Sequence, residues 1–310
     1  MKVLGIGNAI VDVICKVDEN FISQNNLSKG NMKLIFDEKE FRDLFSGLKV
    51  EKTVSGGSVA NSIVGLSQLG NKVGFIGKIS NDDLGEKYEM GLKKENVDYV
   101  YQKKKESLPT GTCLILVSPD SERTMCTFLG TAGKINENDI NIKTIERSEM
   151  IFLEGYLWDE GEPKKAFDKA INSARKVAMS LSDKFCVDRH KSHFLDLVKN
   201  KLDITFANEE EIMSLINTKN FNEVITFAKQ INKLLVITRG VKGAISIKGD
   251  EITEVECKKN LDIVDLTGAG DLFAAGYLHG LINNLTQSEC LNTGTEMSSK
   301  IIQQIGARLN

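Results

Sequence analysis

Short apolar runs alternate with amphipathic segments along most of the chain, and this alternation predicts an α/β fold. Apolar runs predict buried strands at 73–79, 150–153, 178–181, 204–207 and 234–238. Apolar residues at helical spacing predict intervening helices at 84–95, 164–177, 190–199 and 209–215. Repeated strand–helix units imply a mainly parallel central sheet that is covered by helices on both faces.

Two stretches, about 14–52 and about 98–128, interrupt this alternation. They carry alternating and partly exposed strand patterns, for example at 32–36 and 112–117. We therefore expect these stretches to lie outside the main sheet. A chain of 310 residues can hold one large α/β domain with such an excursion, or two domains.

A glycine-rich stretch at 265–271, Asp-Leu-Thr-Gly-Ala-Gly-Asp, stands between an apolar run and a helical pattern. Backbone N–H groups at a helix start lack intrahelical partners, and the helix dipole adds positive potential, so the turn suits an anion such as phosphate. Gly268 and Gly270 permit close approach of a ligand, and Ala269 is nearly as small. Asp271 is either a helix cap or a base that deprotonates a hydroxyl beside a phosphoryl group.

Further polar motifs follow predicted strands, where ligands of parallel sheets collect. Asp12 is a carboxylate amid apolar residues, either a strand-end charge or a bidentate acceptor for a diol. Ser55-Gly56-Gly57-Ser58 opens a helix with Asn61 one turn inside, which fits a Ser-capped helix or a polar ligand site. Asn208 and Glu211 share a helix face if Asn208 caps that helix.

Composition excludes several classes of protein. With 41% hydrophobic residues, 27% charged residues and a net charge of -3, the chain gives no reason to expect nucleic-acid binding. No apolar stretch approaches the ~20 residues that span a bilayer, and no signal peptide precedes the first predicted strand, so we expect a cytoplasmic protein without a membrane partner. The six cysteines are scattered, and His190 and His193 lack further ligands nearby, so no zinc site or disulfide framework is indicated.

Two common nucleotide-binding motifs are incomplete. Gly5-Ile6-Gly7 has Ile10 at the third glycine position of the dinucleotide motif, which disfavours a dinucleotide-dependent oxidoreductase. A P-loop is missing as well, because Gly77-Lys78 has neither the earlier glycine nor the following Ser or Thr.

The stretch at 265–271 resembles the second signature of the pfkB, or ribokinase-like, family of carbohydrate and nucleoside kinases. That signature is usually Asp-Thr-x-Gly-Ala-Gly-Asp, and Leu266 departs from its Thr. Residues 55–61, 70–77 and 83–85 are similar to the family's first signature. The resemblance covers essentially the whole chain and is closest to the adenosine kinase branch. It implies a single kinase chain, residues 1–310, with a three-layer α/β/α sandwich and a small β-sheet lid formed by about 14–52 and 98–128.

The resemblance also implies an ATP-dependent phosphotransferase that uses Mg²⁺. Asp271 would be the catalytic base, and the N–H groups of Gly268, Ala269 and Gly270 would stabilise the transferred phosphoryl group. Arg123, on a predicted lid strand, is either a surface arginine or a group that reaches this phosphate when the lid closes. The positions that border the nucleotide in the family fall on Asn208, Thr238, Gly240, Gly243 and Thr267.

Two carboxylates are cation candidates on the same resemblance. Glu211 would act on Mg²⁺ through water, since magnesium keeps several waters and takes one or two carboxylates. Asp265 lies where some relatives build a monovalent-cation site, for K⁺, from loop carbonyls, and its alternative is a turn-forming aspartate.

The acceptor implied by the resemblance is the 5′-hydroxyl of adenosine. The sugar-binding positions fall on Asn8, Asp12, Gly56, Gly57, Ser58 and Asn61, and those that flank the purine fall on Leu34, Cys113, Met125 and Tyr156 or Leu157. Apolar lid residues favour a nucleoside over a free sugar, although Leu34 and Met125 could equally pack the lid's own core. Inosine, guanosine, ribose and fructose remain alternative acceptors, a catalytically silent binding protein remains an alternative function, and the chain could be a monomer or a homodimer.

Overall fold

The computed structural model describes residues 1–120, 122–158 and 161–309. These residues form fourteen strands: β1 (Val3–Ile6), β2 (Ile10–Lys16), β3 (Met32–Ile35), β4 (Val50–Gly56), β5 (Val73–Ile76), β6 (Asp98–Tyr99), β7 (Gly111–Val117), β8 (Arg123–Phe128), β9 (Met150–Glu154), β10 (Val177–Ser180), β11 (Ile204–Asn208), β12 (Leu234–Thr238), β13 (Ala244–Lys248) and β14 (Glu251–Val255). They also form eleven α-helices: α1 (Glu19–Gln24), α2 (Glu38–Ser46), α3 (Ser58–Gln68), α4 (Asp83–Lys94), α5 (Ile142–Glu146), α6 (Glu162–Ser173), α7 (Lys184–Asp196), α8 (Glu209–Leu215), α9 (Phe221–Ile231), α10 (Ala269–Ile282) and α11 (Gln287–Ile301). Across the described ranges, no helix has the length and apolar character needed to cross a membrane.

The larger sheet contains nine strands in the order β14-β13-β12-β11-β10-β9-β1-β5-β6. Strand β1 pairs in parallel with both β5 and β9, and Ile6 stands opposite Ile76 on one side and Leu153 on the other. The pairs β12–β13 and β13–β14 are antiparallel. The prediction of a mainly parallel central sheet is therefore confirmed.

Both faces of the larger sheet are covered by helices. Successive side chains of a strand point to opposite faces, and Val3 packs in a cluster with residues of α3, α4, α10 and α11, whereas Leu4 packs with residues of α6 to α9. Because both faces are buried, all four residues of β1 are apolar or glycine and all are buried. The three-layer α/β/α architecture predicted from the sequence is confirmed.

Helices α3 and α10 pack closely against each other. A Cβ built on Gly65 of α3 would stand 2.8 Å from Leu272 and 2.9 Å from the Cβ of Ala275, both on α10. Glycine at this position therefore allows the two helix axes to approach closely. This approach places the N-terminal ends of the two helices side by side, and both ends belong to the site described below.

The smaller sheet contains five strands in the order β3-β8-β7-β2-β4. Val11 and Leu114 on one face pack with Phe41 and Leu44 of α2. The register sets Asp12 beside Cys113 on the opposite face, and Cys113 beside Thr127. Strand β6, which falls within the expected stretch 98–128, pairs instead with β5 at the edge of the larger sheet.

The helix predicted at 190–199 begins earlier than expected. Helix α7 starts at Lys184, where Asp183 accepts a hydrogen bond from the N–H of Cys186. His190 departs from helical geometry with φ of -117°, which bends the helix. His193 accepts a hydrogen bond from the indole N–H of Trp158 at 3.2 Å, so its ring belongs to an aromatic cluster of the core.

Candidate active site

Asp271 stands in the first turn of α10, and its carboxylate is held by side chains of α3. Ser58 Oγ donates to Asp271 Oδ1 at 2.6 Å, and Asn61 Nδ2 donates to Oδ2 at 3.0 Å. No side chain caps α10, whose N-cap is Gly268 in a left-handed conformation with φ of +80°. The structure therefore does not use Asp271 as a helix cap, and leaves the carboxylate facing the site.

Desolvation raises the pKa of Asp271 from 3.8 to about 6, while the hydrogen bonds from Ser58 and Asn61 and the charge of Arg308 act in the opposite direction. An acid with this pKa is ionised at neutral pH, and its carboxylate is still basic enough to accept a proton from an attacking hydroxyl. A pKa near the working pH is the optimum for general-base catalysis.

The glycine loop in front of α10 is open to solvent at Gly270, one of the predicted phosphate donors. Gly270 is exposed, and a Cβ on it would meet no atom within 4 Å. Gly268 is closed on its other side by Ala307. The N–H of Ala269 donates to Leu266 O at 3.2 Å, so this predicted phosphate donor is used within the turn here.

The start of α3 requires both of its glycines. A Cβ on Gly56 would overlap the carboxylate of Asp12, and a Cβ on Gly57 would overlap the carbonyl oxygen of Asn8. Gly57 also has φ of +99°, which is costly for other residues. The two glycines thus bring Asp12, Asn8 and the first turn of α3 together.

Three carboxyl groups of this region are electrostatically coupled. The pKa of Asp12 is raised to about 7, mainly by desolvation; the charge of Arg308 opposes this rise and the charge of Asp271 contributes to it. Glu154, at the end of β9, is completely buried, and desolvation raises its pKa to about 7. Asp271 adds to that rise. Carboxylates that raise one another's pKa in this way resist simultaneous ionisation.

The sequence marks Glu154 only as one of several polar residues that follow predicted strands, and it gives no indication of Arg308. Glu154 accepts hydrogen bonds from the backbone N–H groups of Asn8 and Val59, both at 2.8 Å, and so joins the ends of β1 and α3. Its place directly after a predicted strand was an available signal. Arg308 donates from Nε to Asn61 Oδ1 at 3.1 Å, and no sequence motif around Arg308 predicts that contact.

Asn208 and Glu211 form a capping box at the start of α8. Glu211 Oε2 and Oε1 accept from Asn208 N at 2.9 Å and from Asn208 Nδ2 at 2.6 Å. Glu211 N donates to Asn208 Oδ1 at 2.8 Å. Burial raises the pKa of Glu211 to about 7. A nearby cation would favour its charged form, which fits a carboxylate that acts on Mg²⁺ through water.

The segment after β12 forms a tight turn that depends on glycine. Arg239 N donates to Gly243 O at 2.8 Å, and Gly243 N donates to Gly240 O at 3.0 Å. Gly243 has φ of +86°, and a Cβ there would overlap Val255 O. Thr238, at the end of β12, is directly opposite Asn208 of β11. The structure therefore gathers Asn208, Thr238 and the Gly240–Gly243 turn at one sheet edge.

Asp265 links three parts of the molecule. Its Oδ1 accepts from the N–H and the hydroxyl of Thr267 at 3.0 and 2.6 Å. Its Oδ2 accepts from Arg123 Nη1 of the smaller sheet at 2.6 Å and from Gly306 N at 2.8 Å. Both carboxylate oxygens are occupied, so a K⁺ site here would have to use loop carbonyls.

Three of the residues that the resemblance places against the purine lie on the smaller sheet. The strand registers place Leu34, Cys113 and Met125 on the same face of the smaller sheet as Asp12 and Arg123.

Tyr156 and Leu157 lie at the end of β9, and their environments differ. Leu157 is completely buried in the core cluster that contains Leu4 and residues of α6 to α9, so it cannot contact a ligand. Tyr156 is 37% exposed and remains accessible.

Comparison with known proteins agrees with this fold and site. The family described as pfkB family carbohydrate kinase matches residues 23–310, and the chain belongs to this family. Among solved structures, the adenosine kinase of Sinorhizobium meliloti is 35% identical with a TM-score of 0.89, over 99% of this chain and 95% of that one. The predicted resemblance and fold are confirmed, and the chain is a phosphotransferase that acts on a hydroxyl group.

Curated relatives include kinases for two kinds of acceptor. Adenosine kinase 2 of Arabidopsis thaliana is 25% identical, with 98% of this chain and 94% of that protein covered. The 5-dehydro-2-deoxygluconokinase of Geobacillus kaustophilus is 26% identical, with 80% of this chain and 78% of that protein covered. Membership of this family thus shows that the protein is a nucleoside or sugar kinase.

Proposed function

We propose that this protein transfers the γ-phosphoryl group of ATP to the 5′-hydroxyl of adenosine, which would return adenosine to the nucleotide pool as a purine-salvage step. The observation that carries this proposal is the face of the smaller sheet that bears Asp12. On this face the Asp12 carboxylate lies beside apolar surface from Cys113 and Met125. A carboxylate can accept both hydroxyls of a ribose diol, and apolar surface suits a purine base. The adenosine kinases among the relatives support the same acceptor.

The reaction follows from the position of Asp271. The 5′-oxygen forms a bond to the γ-phosphorus while the bond to the β,γ-bridging oxygen breaks and ADP leaves. The proton of the 5′-hydroxyl passes to Asp271, whose carboxylate is fixed by Ser58 and Asn61. The N-terminal end of α10 supplies positive potential to the transferred group.

The lid and the nucleotide turn complete the site in this proposal. Arg123 projects from the smaller sheet toward the loop that carries Asp271, and its guanidinium can stabilise charge on the phosphoryl group. The Gly240–Gly243 turn and Thr267 would border ATP. Mg²⁺, when bound, neutralises charge on the ATP oxygens, and Glu211 would orient its water. Closure of the lid would exclude water and so limit ATP hydrolysis.

The test is ATP-dependent phosphorylation across adenosine, inosine, guanosine, ribose, fructose and 5-dehydro-2-deoxygluconate. We expect kcat/KM for adenosine to exceed that for every other acceptor by about tenfold or more. A preference for a free sugar would overturn the proposal that the apolar residues beside Asp12 contact a purine base, and would leave the role of Asp271 intact. Lack of phosphoryl transfer to adenosine would overturn the proposal.

A further inference from the structure

The segment that follows α11, residues 302–309, folds back over the catalytic loop. Ile302 O accepts from Asp265 N at 3.2 Å, and Gly306 N donates to Asp265 Oδ2 at 2.8 Å. Ala307 lies so close to Gly268 that a Cβ on this glycine would stand 2.7 Å from Ala307 Cα. We call residues 302–309 the tail. It forms one wall of the loop that carries the base.

The end of the tail is anchored at the backbone carbonyl groups of Arg308 and Leu309. Gln304 Nε2 donates to Arg308 O at 2.7 Å, and Gln68 Nε2 of α3 donates to Leu309 O at 3.2 Å. These contacts fix the backbone, and they direct the guanidinium to Asn61, where Nε donates to Oδ1 at 3.1 Å. Arg308 Nη2 is buried and makes no hydrogen bond within the described residues. It can therefore serve an oxygen of a bound acceptor.

The contact with Arg308 decides which way the Asn61 amide points. A guanidinium only donates hydrogen bonds, so it requires the carbonyl end of the amide. The NH₂ end must then face away, and it donates to Asp271 Oδ2 at 3.0 Å. Without Arg308 the amide could rotate and direct its oxygen at the Asp271 carboxylate, which would be repulsive. Arg308 thus acts on the base through Asn61.

The charge of Arg308 acts in the same direction. It lowers the pKa of both Asp12 and Asp271 and so opposes the effect of their desolvation. The polar groups that face Asp271 come from four elements and the tail: Ser58 and Asn61 on α3, Asp12 on β2, Glu154 at the end of β9, Tyr156 after it, and Arg308 on the tail. Arg308 is the group in this set that carries positive charge.

We propose that Arg308 is a positioning residue of the acceptor site, which orients Asn61 toward Asp271 and balances the charges of Asp12 and Asp271. The proposal rests on the assignment of Asp271 as base and of Asp12 as the acceptor's diol ligand. It extends the site to the tail. It predicts that loss of the guanidinium affects the base and the acceptor, and spares ATP binding.

The experiment compares wild type with Arg308→Met and Arg308→Lys in pH profiles of kcat and of kcat/KM for acceptor and for ATP. Arg175→Met is the matched control, because Arg175 is an exposed arginine outside the site. Gln68→Ala removes one anchor of the tail and keeps the guanidinium. The acceptor is whichever compound the wild type phosphorylates fastest, so failure of adenosine as substrate would not decide the role of Arg308.

For Arg308→Met we expect kcat/KM for the acceptor to fall about 10- to 100-fold at neutral pH and the acid limb of the profile to move up by about one pH unit. The KM for ATP should stay within about twofold, since the tail contact lies on the acceptor side. Arg308→Lys keeps the charge and should shift the acid limb less. Free guanidinium at a low, non-denaturing concentration should restore part of the activity of Arg308→Met and should not affect Arg175→Met.

Three results would overturn the proposal. A pH profile of Arg308→Met that superimposes on that of the wild type would show that Arg308 does not act on the base. Equal losses in the kinetics of ATP and acceptor, without guanidinium rescue and matched by Gln68→Ala, would show a structural role of the tail. A gain of activity in Arg308→Met would show that the tail obstructs the acceptor site.

Discussion

Arg123 Nη1 lies 2.6 Å from Asp265 Oδ2, and this ion pair joins the smaller sheet to the loop that leads to Asp271. Asp265 holds Thr267 and Gly306 through the same carboxylate, so the pair connects the smaller sheet, the loop and the tail. Arg123 therefore contacts the loop that precedes Asp271, and its partner in this structure is a carboxylate. An arginine that exchanges this carboxylate for a phosphate could couple lid position to nucleotide binding.

The first prediction concerns this arginine. Arg123→Met should lower kcat on the order of 10- to 100-fold, because a guanidinium that stabilises charge in the transition state is lost. Steady-state kinetics with saturating ATP and acceptor measures the effect. Lys33→Met is the matched control, since Lys33 lies on the adjacent strand β3 and pairs with Glu40 at the surface. If kcat of Arg123→Met equals that of wild type, the arginine serves only to hold Asp265.

The second prediction concerns Gly57. In Gly57→Ala the new methyl group would overlap Asn8 O, so the backbone of Asn8 must move and the acceptor site with it. We expect kcat/KM for the acceptor to fall about tenfold or more, in line with the sensitivity of catalysis to small displacements. Gly70→Ala is the control: Gly70 also has a positive φ, of +84°, and a Cβ there meets no atom within 4 Å.

Both glycine variants should lose on the order of 1 kcal/mol of stability through backbone strain, and Gly57→Ala should lose more because of its overlap with Asn8 O. Chemical denaturation measures that shared loss, and enzyme kinetics measures the effect confined to Gly57. Similar kinetics for the two variants would contradict the steric argument.

The third prediction uses the pH dependence of stability. The folded-state pKa of Asp271, about 6, lies above its ordinary value of 3.8, so the folded protein binds this proton more tightly than the unfolded chain. Its contribution to stability is present below about pH 4 and is lost as the pH rises through about 6. Asp271→Asn does not titrate, and at pH 7 it should be more stable than wild type by on the order of 2 kcal/mol.

Urea denaturation of Asp271→Asn and wild type at about pH 4 and pH 7 measures this difference, which should shrink toward zero at the lower pH. A difference that is the same at both pH values would show that desolvation of the carboxylate is not its cause.

Much of the candidate site could be predicted because its residues lie in short continuous motifs. The strand–helix pattern predicts the parallel sheet, and parallel strands place the ends of β1, β9 and β11 at one edge. The glycines at 56–57 and 268–270 are local signals, because each meets a local steric requirement.

The remaining features depend on contacts between distant parts of the chain. Arg308 reaches Asn61 only because the tail returns over α3, and no periodic pattern encodes that path. Glu154 joins Asn8 to Val59. Its position after a strand predicts that it lies near the strand ends, but does not predict these two partners. Leu157 and Tyr156 are neighbours with similar apolar character, and only the packed structure shows that Leu157 turns into the core.

The most direct test of the account is the rate at which wild type and Asp271→Asn form AMP from adenosine and ATP at saturating Mg²⁺. We expect the wild type to turn over adenosine and Asp271→Asn to lose about 10²- to 10⁴-fold in kcat, the range for loss of a general base. The variant should keep its fold and its affinity for ATP. Near-normal turnover by Asp271→Asn would contradict the central claim that Asp271 accepts the proton of the attacking hydroxyl.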